Sequence, residues 1–309
     1  MRVFVTGGTG LVGTALSREL AAKGHEVTLL TRSPRGRPGL SRISFLAGDP
    51  TQPGAWQKSA AEHDAAVNLA GESIFSRWSA QAKRRIWDSR ILTTRNVVDA
   101  LARRREQGAV LLSASGAGFY GPRGDEEVDE TASSGRDFLA LLSREWETEA
   151  MQALPAAGAR VVLCRFGVVL SARGGALKQM LLPFRAGLGS PLGSGRQWFP
   201  WIHLQDLAGA LAFLLSRQDA EGPFNCVAPE PVRNREFTRA LAAALHKPCF
   251  LPAIPGPLIR IAAGEFSSVL LTGQRAVPRR LLEAGFGFLF PDIRGALADL
   301  LERRGGQTG

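Results

Sequence analysis

With 309 residues, 45% of them hydrophobic and 21% charged, the chain can bury a full core, and its composition excludes a disordered or low-complexity protein. It has no apolar run of about 18 residues, so no membrane partner or spanning helix is expected; MRVFVTGG at the start has strand character rather than a signal-peptide layout. The net charge of +10 invites a nucleic-acid partner, but the arginines are scattered: Arg103 to Arg105 end a helix, where basic residues favour the helix dipole unaided, Arg303 and Arg304 stand at the end of the sequence, and no DNA-reading motif accompanies them.

In chain order, Arg2–Thr6 reads as a strand that runs into GGTGLVG and then a helix over Leu11–Lys23. Gly8, Gly10 and Gly13 fit G-x-G-x-x-G, while Gly7, Gly10 and Gly13 fit the G-x-x-G-x-x-G variant. Directly after a first strand and opening a helix, that pattern predicts a dinucleotide site. Glycine permits the tight turn and close approach, and a pyrophosphate would rest on the free N–H groups around Leu11 and Val12.

The second strand, Glu26–Thr31, bears on cofactor choice. An NAD site places an acidic residue near its end to hold the ribose 2′-hydroxyl. Here stand Thr31 and Arg32, with Arg35 and Arg37 close behind, so a 2′-phosphate and NADP(H) are expected; the plainer alternative for Arg32 is solvated surface. Asp49, after the strand Ile43–Gly48, is a candidate partner for the adenine amine or a loop cap.

Strands over Ala65–Leu69, Val110–Ala114 and Arg160–Phe166 then alternate with helical patterns at Gly54–Ala61, Ser79–Glu106 and Asp137–Leu154. Alternation of this kind predicts an α/β fold, a Rossmann-like doubly wound parallel sheet. After Ser171 glycine and proline become frequent. Shorter helices follow at Gln205–Arg217 and Asn234–His246, with three more pieces between Pro252 and Arg304, broken at PGP, VP and FP. The expected organisation is a nucleotide-binding domain over 1–170 with returning segments at 205–230. A smaller, mostly helical substrate lobe takes 171–309, including a helical domain at 252–304. Cys164, Cys226 and Cys249 read as reduced thiols of a cytoplasmic protein, and the four histidines lack metal-ligand spacing, so no metal is expected.

TGGTGLVG, AAVNLAG, LLSASGAGFYG, RFGVVLS and WIHLQDLAGAL fall in an order that resembles the extended short-chain dehydrogenase/reductase superfamily. NLAGESIFSRW, RRIWDSRILTTRNVVDAL and LPFRAGLGSPLGSGRQWFPWIHLQDLAGAL resemble more closely its epimerase-family branch typified by family 39U. From Leu251 onward the chain looks like that branch's C-terminal domain of unknown function, DUF1731. The resemblance covers essentially the whole chain and implies NADP binding. It places Leu69, Ala70, Gly71 and Val169 beside the cofactor, and Arg90 against the cofactor or an anionic substrate. It also implies that Trp198, Phe199, Trp201 and His203 face a substrate cleft, with Asp206 in support; the bland reading of this segment is an aromatic minicluster.

The superfamily's Tyr-x-x-x-Lys pair is absent. Aligning Glu147 with the common downstream glutamate puts Leu139 at the tyrosine position and Ser143 at the lysine position. Tyr120, the only tyrosine, has Gly124 four residues on, so it is expected to line the pocket, where it and Ser115 are candidate donors to a substrate carbonyl. The function expected is an NADP-binding oxidoreductase or epimerase acting on an unidentified small, apolar or planar molecule, as a monomer or homodimer. The alternative is a non-catalytic NADP-binding regulator or partner-binding protein.

Overall fold

Apolar runs buried along nearly their whole length, such as Val3–Thr6 and Val161–Arg165, give the chain its centre. In the computed structural model, which describes residues 1–34, 41–104 and 108–302, seven strands form one sheet. The first half of the chain supplies β1 (Arg2–Thr6), α1 (Leu11–Ala22), β2 (Glu26–Thr31), β3 (Ile43–Ala47), α2 (Trp56–Ala61), β4 (Ala65–Asn68), α3 (Ala80–Ala102), β5 (Val110–Gly116), α4 (Phe138–Met151) and α5 (Ala153–Ala157). The second supplies β6 (Arg160–Phe166), α6 (Gly175–Arg185), α7 (Leu204–Ser216), β7 (Gly222–Cys226), α8 (Asn234–Ala244) and a tail of α9 (Gly256–Ala263), α10 (Ser267–Leu271), α11 (Arg279–Glu283) and α12 (Ile293–Glu302).

The sheet order is β7-β6-β5-β4-β1-β2-β3, and every neighbouring pair is parallel. Val3 sits opposite both Val27 and Ala65, so β1 is central. Successive residues point to opposite faces: Val3 and Val5 pack with Leu16 of α1 and Leu207 and Leu211 of α7, while Phe4 packs with Trp56, Val97 and Leu101. The chain leaves β1 toward β3 and then returns to β4 on the other side. That reversal opens a crevice at the strand C-termini, where α/β sheets bind ligands.

Two expectations about the elements need correction. The glycine- and proline-rich stretch after Ser171 carries no expected helix before Gln205, but α6 spans Gly175–Arg185 and buries Leu177, Leu181 and Phe184. The tail holds four α-helices rather than three pieces, because the piece after PGP is divided into α9 and α10 at Gly264, which has φ +60°. No helix among the described residues is long and apolar enough to cross a membrane.

The tail is tied to the sheet layer through α7. Asp206, in the first turn of α7 and 1% exposed, accepts the N–H groups of Leu289 and Phe290 at 2.8 and 3.0 Å. Asp206→Ala leaves both donors without that partner. It should lower stability by about 1–3 kcal/mol, seen as an earlier midpoint in urea denaturation; an unchanged midpoint would refute the tie.

Candidate functional site

The turn between β1 and α1 is as tight as backbone allows. Gly7 has φ +68° and lies so close to the Leu69–Ala70 peptide that a Cβ would stand 2.7 Å from the Leu69 carbonyl carbon. At Gly13 a Cβ would meet the Gly7 oxygen at 2.4 Å. Gly10 donates to the Gly7 carbonyl at 3.0 Å and precedes α1 without a side-chain cap, so the first-turn N–H groups of α1 have no local acceptor side chain. Beneath the turn a buried chain of hydrogen bonds runs from Thr6 to Asn68 and on to Thr94.

At the end of β2 Thr31 is buried and Arg32 exposed; Arg35 and Arg37 lie outside the described residues. One carboxylate oxygen of Asp49 accepts from both the N–H and the hydroxyl of Thr51, at 2.9 and 2.8 Å, so Asp49 caps its own loop.

Between the strand ends, α1, α4 and the α9–α10 tail lies a cavity of about 790 Å³. Leu11, Val12, Leu69, Gly71 and Val169 line it on the sheet side, Trp198 and Phe199 on another. From α4 come Leu139, Ser143 and Trp146. Leu139, Ser143 and Glu147 are each four residues apart, so they form one stripe of the helix. The positions aligned with the superfamily's Tyr and Lys thus do face the cavity, but they present an isobutyl group and a hydroxyl.

Ser115, at the end of β5, also lines the cavity. Its Oγ is 2.7 Å from Glu147 Oε1. Arg165 grips the same carboxylate, with Nε to Oε1 and Nη2 to Oε2 both at 2.8 Å. With Arg165 N–H groups donating to both of its oxygens, the carboxylate is the acceptor in the Ser115 hydrogen bond. The serine proton is therefore committed to Glu147, and Ser115 turns lone pairs toward the cavity. Arg165 was not singled out from sequence, although an arginine inside VVLCRF signals a buried partner, since charged strand residues rarely stay buried unpaired.

Arg90 projects from α3 into the same space. Its guanidinium packs against Gly71 and lies over the Trp146 ring, 5.2 Å from the centroid. Nη1 donates to the Ile86 carbonyl at 3.0 Å. Burial pushes its pKa down to about 10, which leaves it a cation at neutral pH.

Three expected cleft residues lie elsewhere. Tyr120 is 0% exposed and is not part of the cavity wall. Its hydroxyl donates to Asn225 Oδ1 at 2.6 Å and accepts from Arg165 Nη1 at 3.0 Å. Burial raises its pKa to about 12, so it is a structural hydrogen-bonding group rather than a pocket donor. Trp201, 1% exposed, and His203, 3% exposed, are likewise interior. Trp201 packs with Leu177 and Phe237, and His203 stacks on Phe290 at 4.0 Å while its Nδ1 accepts from the Gln205 N–H. The aromatic pattern was legible, but Trp201–His203 is a separate short strand paired with Val168–Leu170, and of the four only Trp198 and Phe199 reach the cavity. Among the described residues no group of three or more His, Cys, Asp or Glu side chains is placed to hold a metal ion.

Residues 3–226 match the NAD dependent epimerase/dehydratase family, and residues 254–300 match a domain of unknown function, DUF1731. Epimerase family protein SDR39U1 of Bos taurus is 43% identical over 307 residues, spanning 97% of this chain and 100% of that protein. Epimerase family protein YfhF of Bacillus subtilis is 36% identical over 308 residues, spanning 98% and 99%. The crystal structure of human epimerase family protein SDR39U1 (isoform 2) with NADPH superposes with a TM-score of 0.85 at 39% identity, covering 98% of this chain and 99% of that one.

Because its hydroxyl bridges two buried partners, Tyr120→Phe should cost about 1–3 kcal/mol of stability, against the small effect expected of a pocket residue. Thermal or urea denaturation reads the difference, and a loss below about 0.5 kcal/mol would contradict the bridging role.

Proposed function

The chain belongs to the NAD dependent epimerase/dehydratase family, and from that premise we propose that it is an NADP-binding protein of the oxidoreductase or epimerase type, acting on a small and mainly apolar molecule. The observation that carries this reading is one continuous cavity. It runs from Leu11 and Val12 at the N-terminus of α1 to an aromatic wall at Trp198 and Phe199, giving room for a dinucleotide end and a substrate side by side.

The residues fit the cofactor. Gly7 and Gly13 let the turn lie close to the Leu69–Ala70 peptide and to the start of α1, where a Cβ at either would collide with backbone, and the start of α1 offers backbone N–H groups and the positive end of the helix dipole to a pyrophosphate. Leu69, Ala70, Gly71 and Val169 would flank the nucleotide. Arg32, exposed beside Thr31, would pair with a 2′-phosphate, for which a guanidinium is suited. When bound, NADP(H) would take up or supply a hydride.

Ser115 is the residue we assign to proton handling. Its Oγ would take a proton from a substrate hydroxyl as that group is oxidised, its own proton passing to Glu147 Oε1, and the reverse movement would supply the proton when a carbonyl is reduced. Arg165 holds Glu147 in place for the exchange. Nothing in this scheme uses a lowered phenol pKa. Leu139 and Ser143 instead make the α4 wall apolar and weakly polar, which suits a substrate other than a nucleotide sugar.

Leu139 also favours a second reading. A cavity that holds NADP but lacks the superfamily's proton-transfer pair would serve a non-catalytic sensor of the cofactor. A screen of NADPH oxidation with quinones, enones and aldehydes divides the two. Turnover that falls about 10²–10⁴-fold in Ser115→Ala, with NADPH affinity retained, supports the enzyme. Silence across the panel with tight NADPH binding supports the sensor.

The cofactor assignment has its own test. The unaltered protein should bind NADPH more tightly than NADH, and Arg32→Ala should remove about 1.5–3 kcal/mol of NADPH binding while leaving NADH unaffected. Equal affinities in the unaltered protein would sink the role given to Arg32.

A further inference from the structure

Four charged side chains line the cavity among the described residues: Glu72, Arg90, Asp137 and Glu265. Three are already engaged. Glu72 pairs with Arg85 at 3.0 Å and Glu265 with Lys83, while Asp137 caps α4 by accepting the Ala140 N–H at 2.9 Å. Arg90 is different: no carboxylate among the described residues comes within 4.0 Å of its guanidinium, and its hydrogen bond goes to a backbone carbonyl one turn earlier in its own helix.

A largely buried cation with no carboxylate in contact is unfavourable, and the lowering of its pKa by burial reflects that. The group is nevertheless fixed in place. Gly71 lies directly behind it, such that a Cβ there would be 3.1 Å from Cζ. Trp146 lies across its other face, an arrangement that attracts a cation, and Trp146 is itself anchored through its indole N–H to Thr94 at 2.8 Å. A guanidinium held so loses little freedom when it binds an anion.

We propose that Arg90 anchors the carboxylate head group of a substrate whose remaining body is apolar. Its position favours a substrate over the cofactor's phosphates. Trp146, which it covers, belongs to α4, the helix that also brings Leu139 and Ser143 to the cavity, whereas the phosphates have their donors at α1. A singly charged carboxylate matches one planar fork; a phosphate monoester carries nearly two charges and would face a single cation with Glu72 nearby, whose field already reaches Arg90. The apolar body is set by Leu139, Phe138, Trp198 and Phe199 on the surrounding walls.

The inference rests on reading the cavity as a joint cofactor and substrate site, and the two fail separately. Titrating the unaltered protein with NADPH alone tests that reading without any acid present. The protein–NADPH complex is then titrated by calorimetry with 2-naphthoate and octanoate, and with the neutral alcohols of the same skeletons. At least one acid should bind about tenfold or more tighter than its alcohol. Arg90→Gln should erase that preference with NADPH affinity held within about twofold, and Arg90→Lys should keep part of it, since charge remains while the fork is lost. A crystal structure of the unaltered protein with 2-naphthoate reads the same contact without a variant and should place the carboxylate on Arg90. The proposal is overturned if neither acid is preferred, if the preference survives Arg90→Gln, if the carboxylate binds elsewhere, or if Arg90→Gln weakens NADPH more than about tenfold, which would assign the cation to the cofactor.

Discussion

The ion pair between Arg165 and Glu147 governs how the parts of this protein meet. Its side chains are 5% and 8% exposed, and removing two charges from water costs several kcal/mol per ion unless both are fully satisfied. Here they are well supplied. Glu147 receives two guanidinium nitrogens and the Ser115 hydroxyl; Arg165 also reaches the Tyr120 oxygen and the Glu130 carbonyl and lies 3.5 Å from the Phe119 ring centroid. One pair thereby connects β5, β6, α4 and the turn at Ala117–Tyr120, and through Tyr120 it reaches Asn225 in β7. Replacing one partner would leave the other buried and uncompensated, a change of about 3–5 kcal/mol. More consequentially, the pair sets the rotation of α4 about its own axis. With Glu147 drawn to β6, Leu139 and Ser143 must look into the cavity.

That rotation determines the chemistry available. Ser115 and Arg90 both line the cavity, and both are held by neighbours rather than free to adapt. Ser115 is oriented by Glu147, and Arg90 by Gly71 and Trp146. Low-dielectric walls strengthen whatever interactions these groups make. The sole tyrosine has been withdrawn from this setting into the core, where it completes the hydrogen bonding of Arg165 and Asn225. The glycine loop and the α4 wall therefore follow separate constraints, one of backbone proximity and one of charge satisfaction.

Much of this was legible in the amino-acid order. Strands with continuous apolar runs and the glycines after the first strand carry local signals, and Leu139 and Ser143 were readable as departures once Glu147 supplied a register. Less legible was anything decided by distant pairing. WFPWIH announces an aromatic cluster, but which rings face a ligand depends on strand pairing: the Trp201–His203 segment pairs with Val168–Leu170, and Trp201 and His203 end up interior. Tyr120 looked exposed to chemistry because glycines and a serine surround it in sequence. Its partners, Arg165 and Asn225, lie 45 and 105 residues away. The helix α6 was hidden by a proline near its end and glycines on both sides, so composition suggested irregular chain where a buried leucine face decided otherwise.

The tail's contribution to the cavity has a consequence for how the protein comes into being. Glu265, Val269 and Gln274 line the cavity, and Gln274 fastens this wall by donating from Nε2 to the Ala117 carbonyl, 157 residues earlier in the chain, at 2.6 Å. Chains emerge from the ribosome N-terminus first. The glycine loop, β1 to β6 and the Arg165–Glu147 pair are thus all synthesised before any of that wall exists. A nascent chain has every residue of the nucleotide turn while its pocket still stands open to water on one side. The enclosure that gives the buried cation its character arrives with segments made well after the nucleotide turn, through contacts of long sequence separation, which form slowly.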